Sequence, residues 1–506
     1  MSDFKTKVLE YFNLTEEDYR YLTRVVTVSD LPYPYAFHNF EIFIERIEQA
    51  ITNNEQILVY GDYDADGILA TAILKSAFLK RGVDVFTFIP SRYKEGYGLN
   101  ENLIERFKAR DIKLIITVDN GVSAFKAIEL ANKVGIDVLV SDHHQMHETL
   151  PDAFTFLHPH LTNAEKLDSA GAYMALLISY GLLTYYDDYL LSLAAIATIA
   201  DMMPLVSHNR TLVRLGLEIL NKKNYPQLFK LNEGQFYDAE SLGLKVIPKI
   251  NALGRLSKER EANVLIEYFT TEDTRRINEI AHYVISINNK RREISKAALD
   301  FEVDTSESAI LEITDELEGM LGLISQQYVT KYAKPAITFT ASTTEPDLLK
   351  GSGRSVKGFS LVEAFTALSH YLETFGGHHE AAGLSLKKDN YPAFKAAFIQ
   401  LIDEHGVKEV SEQLIPLTFS ELTYENFHFL NSLAPFGRKH KSPKFIVTEI
   451  PHDFLVRNVK NLHIIHEISR GTKFIKFYAD EVTVEPVVGR FSLSEFNNFV
   501  TINFIF

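Results

Sequence analysis

Three short apolar runs each stop at residue types that can ligate a metal. Ile57-Leu58-Val59-Tyr60 leads into Gly61-Asp62-Tyr63-Asp64-Ala65-Asp66-Gly67, Leu114-Ile115-Ile116-Thr117-Val118 into Asp119-Asn120-Gly121, and Val138-Leu139-Val140 into Ser141-Asp142-His143-His144. Asp201 makes a fourth acidic stop after the apolar stretch Leu193 to Ala200. Runs of this length, closed by Gly and polar residues, read as buried strands. Helical patterns over Ile68 to Lys80 and Ser123 to Val134 lie between them, so an α/β, doubly wound parallel sheet is expected. Such a sheet carries its site at the carboxyl ends of its strands. Asp62, Asp64 and Asp66 are spaced two apart, and in an extended segment they point the same way. Three like charges on one side repel unless a cation holds them. Oxygen ligands with one or two imidazoles suit Mn²⁺ or Mg²⁺. The residues therefore read as the centre of a two-metal phosphoester hydrolase.

At 506 residues the chain is too long for one core. It has no cysteine, which excludes disulfides, thiolate-bound zinc and a cysteine nucleophile and fits a cytoplasmic protein. Met1 to Leu9 does not read as a secretory signal, and no apolar run is long enough to span a membrane. A net charge of −15 is unusual for a nucleic-acid binder. The basic residues are concentrated, however: Lys245 to Lys296 holds 11 Lys/Arg against 7 Asp/Glu, and Arg438, Lys439, Lys441 and Lys444 form a second patch.

Five regions are expected: a helical N-terminal extension (1–50) packed on the first domain, the parallel-sheet domain (51–225), a connecting helical region (226–301), a smaller α/β domain (302–405), and a β-rich segment (406–506). Thr271 to about Phe301 carries one long helical stripe. In the smaller domain, Lys350-Gly351-Ser352-Gly353-Arg354-Ser355 reads as a loop whose amides, hydroxyls and guanidinium suit a phosphate. Gly376-Gly377 before His378 would let the backbone approach a ligand. The tail reads as a small antiparallel barrel or sandwich.

Asp62-Tyr63-Asp64-Ala65-Asp66-Gly67, Asp119-Asn120-Gly121, Asp142-His143-His144 and Asp201 resemble the four metal motifs of the DHH phosphoesterase family. The Asp-Tyr-Asp form resembles its RecJ branch, the single-strand-specific 5′→3′ exonucleases. Arg92-Tyr93-Lys94-Glu95-Gly96-Tyr97-Gly98 and Asn251-Ala252-Leu253-Gly254-Arg255 resemble further motifs of that branch. Gly351 to Ser355 and Gly376 to Gly383 resemble the two motifs of the DHHA1 domain. The resemblance implies two Mn²⁺ or Mg²⁺ ions, one on Asp64 and Asp119 and the other on Asp66, Asp119, His143 and Asp201, with Asp119 bridging. It places His144 beside the scissile phosphate and Asp142 behind its neighbours, and leaves Asp62 as either a ligand or a support. Tyr60 stands where other DHH branches carry a histidine ligand.

The same resemblance implies that Arg92, Tyr97, Asn251, Arg255, Ser352, Arg354, Ser355 and His378 contact the substrate, the last four gripping DNA near its 5′ end. Tyr93, Tyr97 and Phe359 are candidate base-stacking residues. Leu433-Ala434-Pro435-Phe436-Gly437 resembles the entry to an OB-like domain, followed here by Lys439-His440-Lys441-Ser442-Pro443 in place of the usual run.

The reading is a metal-dependent 5′→3′ exonuclease that releases 5′-mononucleotides from single-stranded DNA in repair or recombination. It is expected to be monomeric and off the membrane, with a single-strand-binding protein or a helicase as candidate partners. A phosphodiesterase of short RNA oligonucleotides or cyclic dinucleotides is the alternative, and a non-catalytic nucleic-acid-binding factor the third.

Overall fold

A computed structural model describes residues 3–162, 167–234, 236–256, 262–300, 303–343, 345–407, 413–421 and 423–448, and the strand segments 463–467, 474–478, 487–496 and 499–505. The chain divides into two compact units, one of Pro32–Met203 with Leu215–Val410 and one of Met1–Leu31, Pro204–Arg214 and Ser411–Phe506.

The larger unit contains two sheets. Strands β1 (Gln56–Tyr60), β2 (Phe86–Phe88), β3 (Ile112–Val118), β4 (Asp137–Ser141) and β5 (Thr155–Leu157) form the first, in the order β2-β1-β3-β4-β5. Every pairing is parallel. The direction of winding reverses at β1, with β2 on one side and β3 on the other, so the crevice at the β1 and β3 ends is where a doubly wound sheet binds its ligand. Helix Ala65–Lys80 is buried nearly all round because it packs between the helices Gly171–Leu183 and Asp188–Ala200. An all-round apolar sequence is the signature of such a helix. Asp201 caps the end of helix Asp188–Ala200. The fourth acidic stop therefore follows a helix, unlike the first three, because its apolar run extends back to Leu190 and buries on several sides.

Between residues 226 and 300 the described secondary-structure elements are all helices, joined by short turns. The longest of them, Thr274–Ala297, starts at an Asp273 cap and runs unbroken for 24 residues, about 36 Å. Asn288, a weak helix former, stays within it because its side chain is buried and accepts a hydrogen bond from Arg291 Nε at 3.0 Å.

Strands β6 (Ile310–Ile313), β7 (Ala336–Ala341), β8 (Leu348–Arg354), β9 (Thr374–His378) and β10 (Ala381–Lys387) form the second sheet, ordered β6-β7-β8-β10-β9. The Gly-Ser-Gly-Arg segment is thus strand rather than loop. Gly351 sits in β8 because the Phe339 ring of β7 covers it; a Cβ there would stand 2.6 Å from that ring. Phe359 packs edge-on to Phe398 in the core of this domain and has no face to offer a base.

In the smaller unit, helix Asp3–Tyr11 buries Phe4 and Val8 against Ile415, Leu417, Phe427, Leu430 and Phe445. Helix Phe40–Thr52 belongs to the larger unit and packs against β5 and helix Gly171–Leu183. The expected N-terminal extension is therefore two pieces with separate cores. Arg210 is buried, and its guanidinium donates to the carbonyls of Leu433, Ala434 and Pro435 at 2.7–3.0 Å. Strands β11 (Leu414–Thr418), β12 (Lys444–Thr448), β13 (His463–Glu467), β14 (Phe474–Tyr478), β15 (Val487–Phe496) and β16 (Phe499–Ile505) form a sheet ordered β11-β12-β15-β16-β14-β13. It is mixed rather than antiparallel, since β11 pairs with β12 and β14 with β16 in parallel.

Candidate active site

The three strand ends converge. After β1 the chain turns through Asp62, which is buried, to Asp64, whose Oδ1 caps helix Ala65–Lys80 by accepting from Asp66 N at 2.9 Å and Gly67 N at 3.1 Å. Asp66, in the first turn, is buried. It accepts from the amides of Gly171 (2.7 Å) and Ala172 (2.8 Å), the first residues of another helix. Asp119 follows β3 in the left-handed region, φ +62°. This backbone favours Gly, Asn and Asp, and it aims a carboxylate back over the strand ends. Gly171 is needed beside it, because a Cβ there would stand 2.7 Å from Asp119 Cβ.

His143 Nε2 lies 3.0 Å from Asp119 Oδ1 and 3.7 Å from both Asp66 Oδ2 and Asp201 Oδ2. Three overlapping sets have ligand atoms within 4.8 Å of one another: Asp62 with Asp64 and Asp119, Asp66 with His143 and Asp201, and Asp119 with His143 and His144. All seven residues taken from the sequence as ligands or neighbours of the reacting phosphate are brought together.

So much negative charge out of water needs a cation. Burial, then the charge of Asp64, pushes the Asp62 carboxyl up to about 8. Burial pushes Asp66 and Asp119 well above the usual range, reinforced first by Asp201 and by Asp66 respectively. Asp62 Oδ1 and Asp119 Oδ1 are buried and receive no hydrogen bond. Burial, then His144, pulls His143 down to about 3, which leaves a neutral imidazole ready to ligate. Oxygen donors in the majority, one neutral imidazole and buried oxygens without donors fit divalent Mn²⁺ or Mg²⁺.

His144 has a different environment. Burial lowers its pKa, but the hydrogen bond from its Nδ1 to Asp142 (2.8 Å) and the charge of Asp142 outweigh that and raise it to about 9. Asp142 also accepts from the amides of Val122 (3.0 Å), His143 (2.7 Å) and His144 (3.1 Å). Burial opposes its charge, yet His144 and these amides hold its carboxyl below the usual value. The Tyr97 hydroxyl lies 3.1 and 3.3 Å from the two ring nitrogens of His144 and 3.3 Å from Asp119 O. Tyr60 is turned into the core, its hydroxyl on Gly98 O at 2.9 Å.

A positive cluster faces the acidic one. Burial, then the like charges of Arg92, Arg291 and Arg354, push the Arg255 pKa down to about 10 against the opposing pull of Asp64. Arg92 packs over the Tyr63 ring at 4.2 Å. Arg354 Nη1 donates to Ser352 Oγ at 3.3 Å. Ser355 Oγ is buried without a hydrogen bond. Asn251 Oδ1 accepts from Ala65 N at 2.8 Å, which makes it a prop for the Asp64 turn. His378 is exposed on β9, opposite Ala381, and no described contact joins it to the carboxylates. Tyr93 spends its hydroxyl on the backbone of Arg255 and Gly319.

Sequence reasoning missed Gly171, Ala172 and His158. The first two hold Asp66, and buried His158 sets its Nε2 2.8 Å from His144 O. A glycine opening the all-apolar helix Gly171–Leu183 was the one visible signal.

Five parallel strands with carboxylates and histidines at their ends, joined to a second mixed sheet, define a DHH-type phosphoesterase. Residues 56–202 match the DHH family, N-terminal domain, and residues 309–404 the DHHA1 domain. The chain belongs to the RecJ family of single-stranded-DNA-specific exonucleases. It is 30% identical over 453 residues to RecJ of Dickeya dadantii, covering 79% of this chain and 76% of that protein. It is 31% identical over 499 residues to RecJ of Bacillus subtilis, covering 93% of this chain and 63% of that protein, so it spans under two thirds of this relative's length. The crystal structure of RecJ in complex with Mn²⁺ from Thermus thermophilus shares the fold, with a TM-score of 0.80 at 24% identity over 99% of this chain and 75% of that one.

Proposed function

We propose that the chain is a metal-dependent 5′→3′ exonuclease that hydrolyses single-stranded DNA to 5′-mononucleotides, in DNA repair or recombination. The observation that carries this is the position of Asp119, whose carboxylate is grouped with those of Asp62 and Asp64 on one side and lies 3.0 Å from His143, itself grouped with Asp66 and Asp201, on the other. Asp62 and Asp64 with Asp119 hold one Mn²⁺ or Mg²⁺ ion; Asp66, His143 and Asp201 with Asp119 hold a second. When bound, the ions supply an activated water and neutralise charge on the phosphate. His144, kept protonated by Asp142, presents a cation to the scissile phosphate, and Tyr97 limits the swing of its ring. Arg255, Ser352 and Arg354 grip the terminal phosphate, with Arg92, Ser355 and His378 along the same path, and release of mononucleotides follows from a strand end held beside the metal centre.

The RecJ relatives are named for single-stranded DNA, which supports the substrate, and the Thermus RecJ binds Mn²⁺, which supports the metal. A reduced OB-like arrangement of β11–β16 is the proposed second strand-binding surface. A monomer in the cytoplasm, working with a single-strand-binding protein or a helicase, completes the reading. Among the described residues no helix is long and apolar enough to cross a membrane. Incubation of the full chain with Mn²⁺ and a single strand, a duplex or a short RNA dimer tests the proposal. Loss of the single strand alone, stopped by EDTA and by Asp119→Asn, is expected; cleavage of the RNA dimer alone would replace this reading.

A further inference from the structure

We infer that Tyr93, locked against Gly319, is the positioning residue of the terminal-phosphate grip and holds Arg255 at a fixed distance from Ser352 and Arg354. The inference rests on the function proposed above. Tyr93 lies in the segment after β2, Arg255 in helix Ile247–Leu256, and Gly319 in the first turn of helix Glu318–Tyr332. The Tyr93 hydroxyl donates to Arg255 O and accepts from Gly319 N at 3.1 Å. Arg255 Nη1 donates to Gly319 O at 3.1 Å, which closes the junction. There is no slack in it: a Cβ on residue 319 would stand 2.5 Å from Arg255 O and 2.8 Å from the Tyr93 oxygen.

One turn further along the same helix, Gly322 abuts the other half of the grip. A Cβ there would stand 2.7 Å from Arg354 Nη2 and 2.9 Å from Ser352 Oγ. Ser325 Oγ then donates to Ser352 O at 2.7 Å. A single helix therefore spans from Arg255, on the parallel-sheet side, to Ser352 and Arg354 on β8. Such a brace is needed because Arg255 stands among Arg92, Arg291 and Arg354. Like charges in a partly desolvated site separate unless hydrogen bonds hold them. Tyr93 is thus a strut rather than a base-stacking ring.

Binding of fluorescent single strands with a 5′-phosphate or a 5′-hydroxyl, measured in EDTA on the full-length wild type, Tyr93→Phe and Gly319→Ala, tests this without turnover. The wild type is expected to prefer the 5′-phosphoryl strand. Tyr93→Phe is expected to shrink that preference about tenfold, the order of one or two lost hydrogen bonds, while affinity for the 5′-hydroxyl strand stays within about twofold. Gly319→Ala keeps every hydrogen-bonding group but wedges the junction, and is expected to do the same, so a folding failure of either variant leaves the other. Unchanged preference in a folded variant, equal loss on both strands, or no preference in the wild type would overturn the inference. A wild type that shows the preference yet releases no mononucleotide with Mn²⁺ would sink the function and leave the strut standing.

Discussion

Asp119 concentrates the residue-scale physics. It is buried, left-handed in backbone, shared between ligand sets and surrounded by other carboxylates. Asp62 shows the thermodynamic consequence. A carboxyl that titrates near 8 when folded and near 3.8 when unfolded binds its proton more tightly in the folded chain, so folding loses stability as pH rises across that interval. His144, raised to about 9, acts in the same direction above its unfolded value of 6.5. His143, lowered to about 3, opposes them only below about 6.5. In EDTA the melting temperature is therefore expected to fall as pH rises from 6.5 to 9, and Mn²⁺ should remove most of that slope. Asp119→Asn suits the left-handed backbone. It should raise the metal-free melting temperature at pH 8 while lowering hydrolysis at least about 10²–10³-fold. Calorimetry with and without Mn²⁺ checks the stability changes and a hydrolysis assay the rate; a metal-free protein that gains stability with pH would contradict the account.

At the scale of elements, the site depends on helix Gly171–Leu183 as much as on the strands. Its first amides donate hydrogen bonds to Asp66, and its first residue leaves room for Asp119. Gly171→Ala is expected to cost about 1–3 kcal/mol through overpacking. It should also weaken Mn²⁺ binding roughly 10–100-fold, as loss of a supporting contact does; thermal melts and a Mn²⁺ titration measure both, and wild-type affinity for Mn²⁺ would refute the role. The strand ends were legible in sequence because a short apolar run that stops at Asp or His fits a buried strand opening into a polar crevice and little else. The helix was not, because a buried helix is apolar on every face and gives no amphipathic period. The same limit made Asp201 look like a strand end. Gly351 to Ser355 looked like a loop because glycine is read as a turn signal, whereas here it admits the Phe339 ring.

For the whole molecule, the sequence conveyed two α/β layers and a β-rich tail, but not how the ends combine. Residues 3–11 and 415–445 share one core, and Arg210, far from both in sequence, is satisfied by the carbonyls of 433–435. Contacts between distant segments leave no periodic trace. Truncation after Val410 should therefore do more than weaken DNA binding. It would expose Phe4 and Val8 and strip a buried guanidinium of its acceptors. Rapid hydrogen exchange in residues 3–11 and aggregation are expected; a truncated chain that stays soluble with those amides protected would show the tail to be an independent module.

The most direct measurement is the order of product release. A single strand labelled at its 5′ end and a matched strand labelled at its 3′ end are digested with Mn²⁺, and products are sized over time. The account predicts that the 5′ label leaves at once as a mononucleotide while the 3′-labelled strand shortens one nucleotide at a time. Early release of the 3′ label, or internal fragments from either strand, would contradict it.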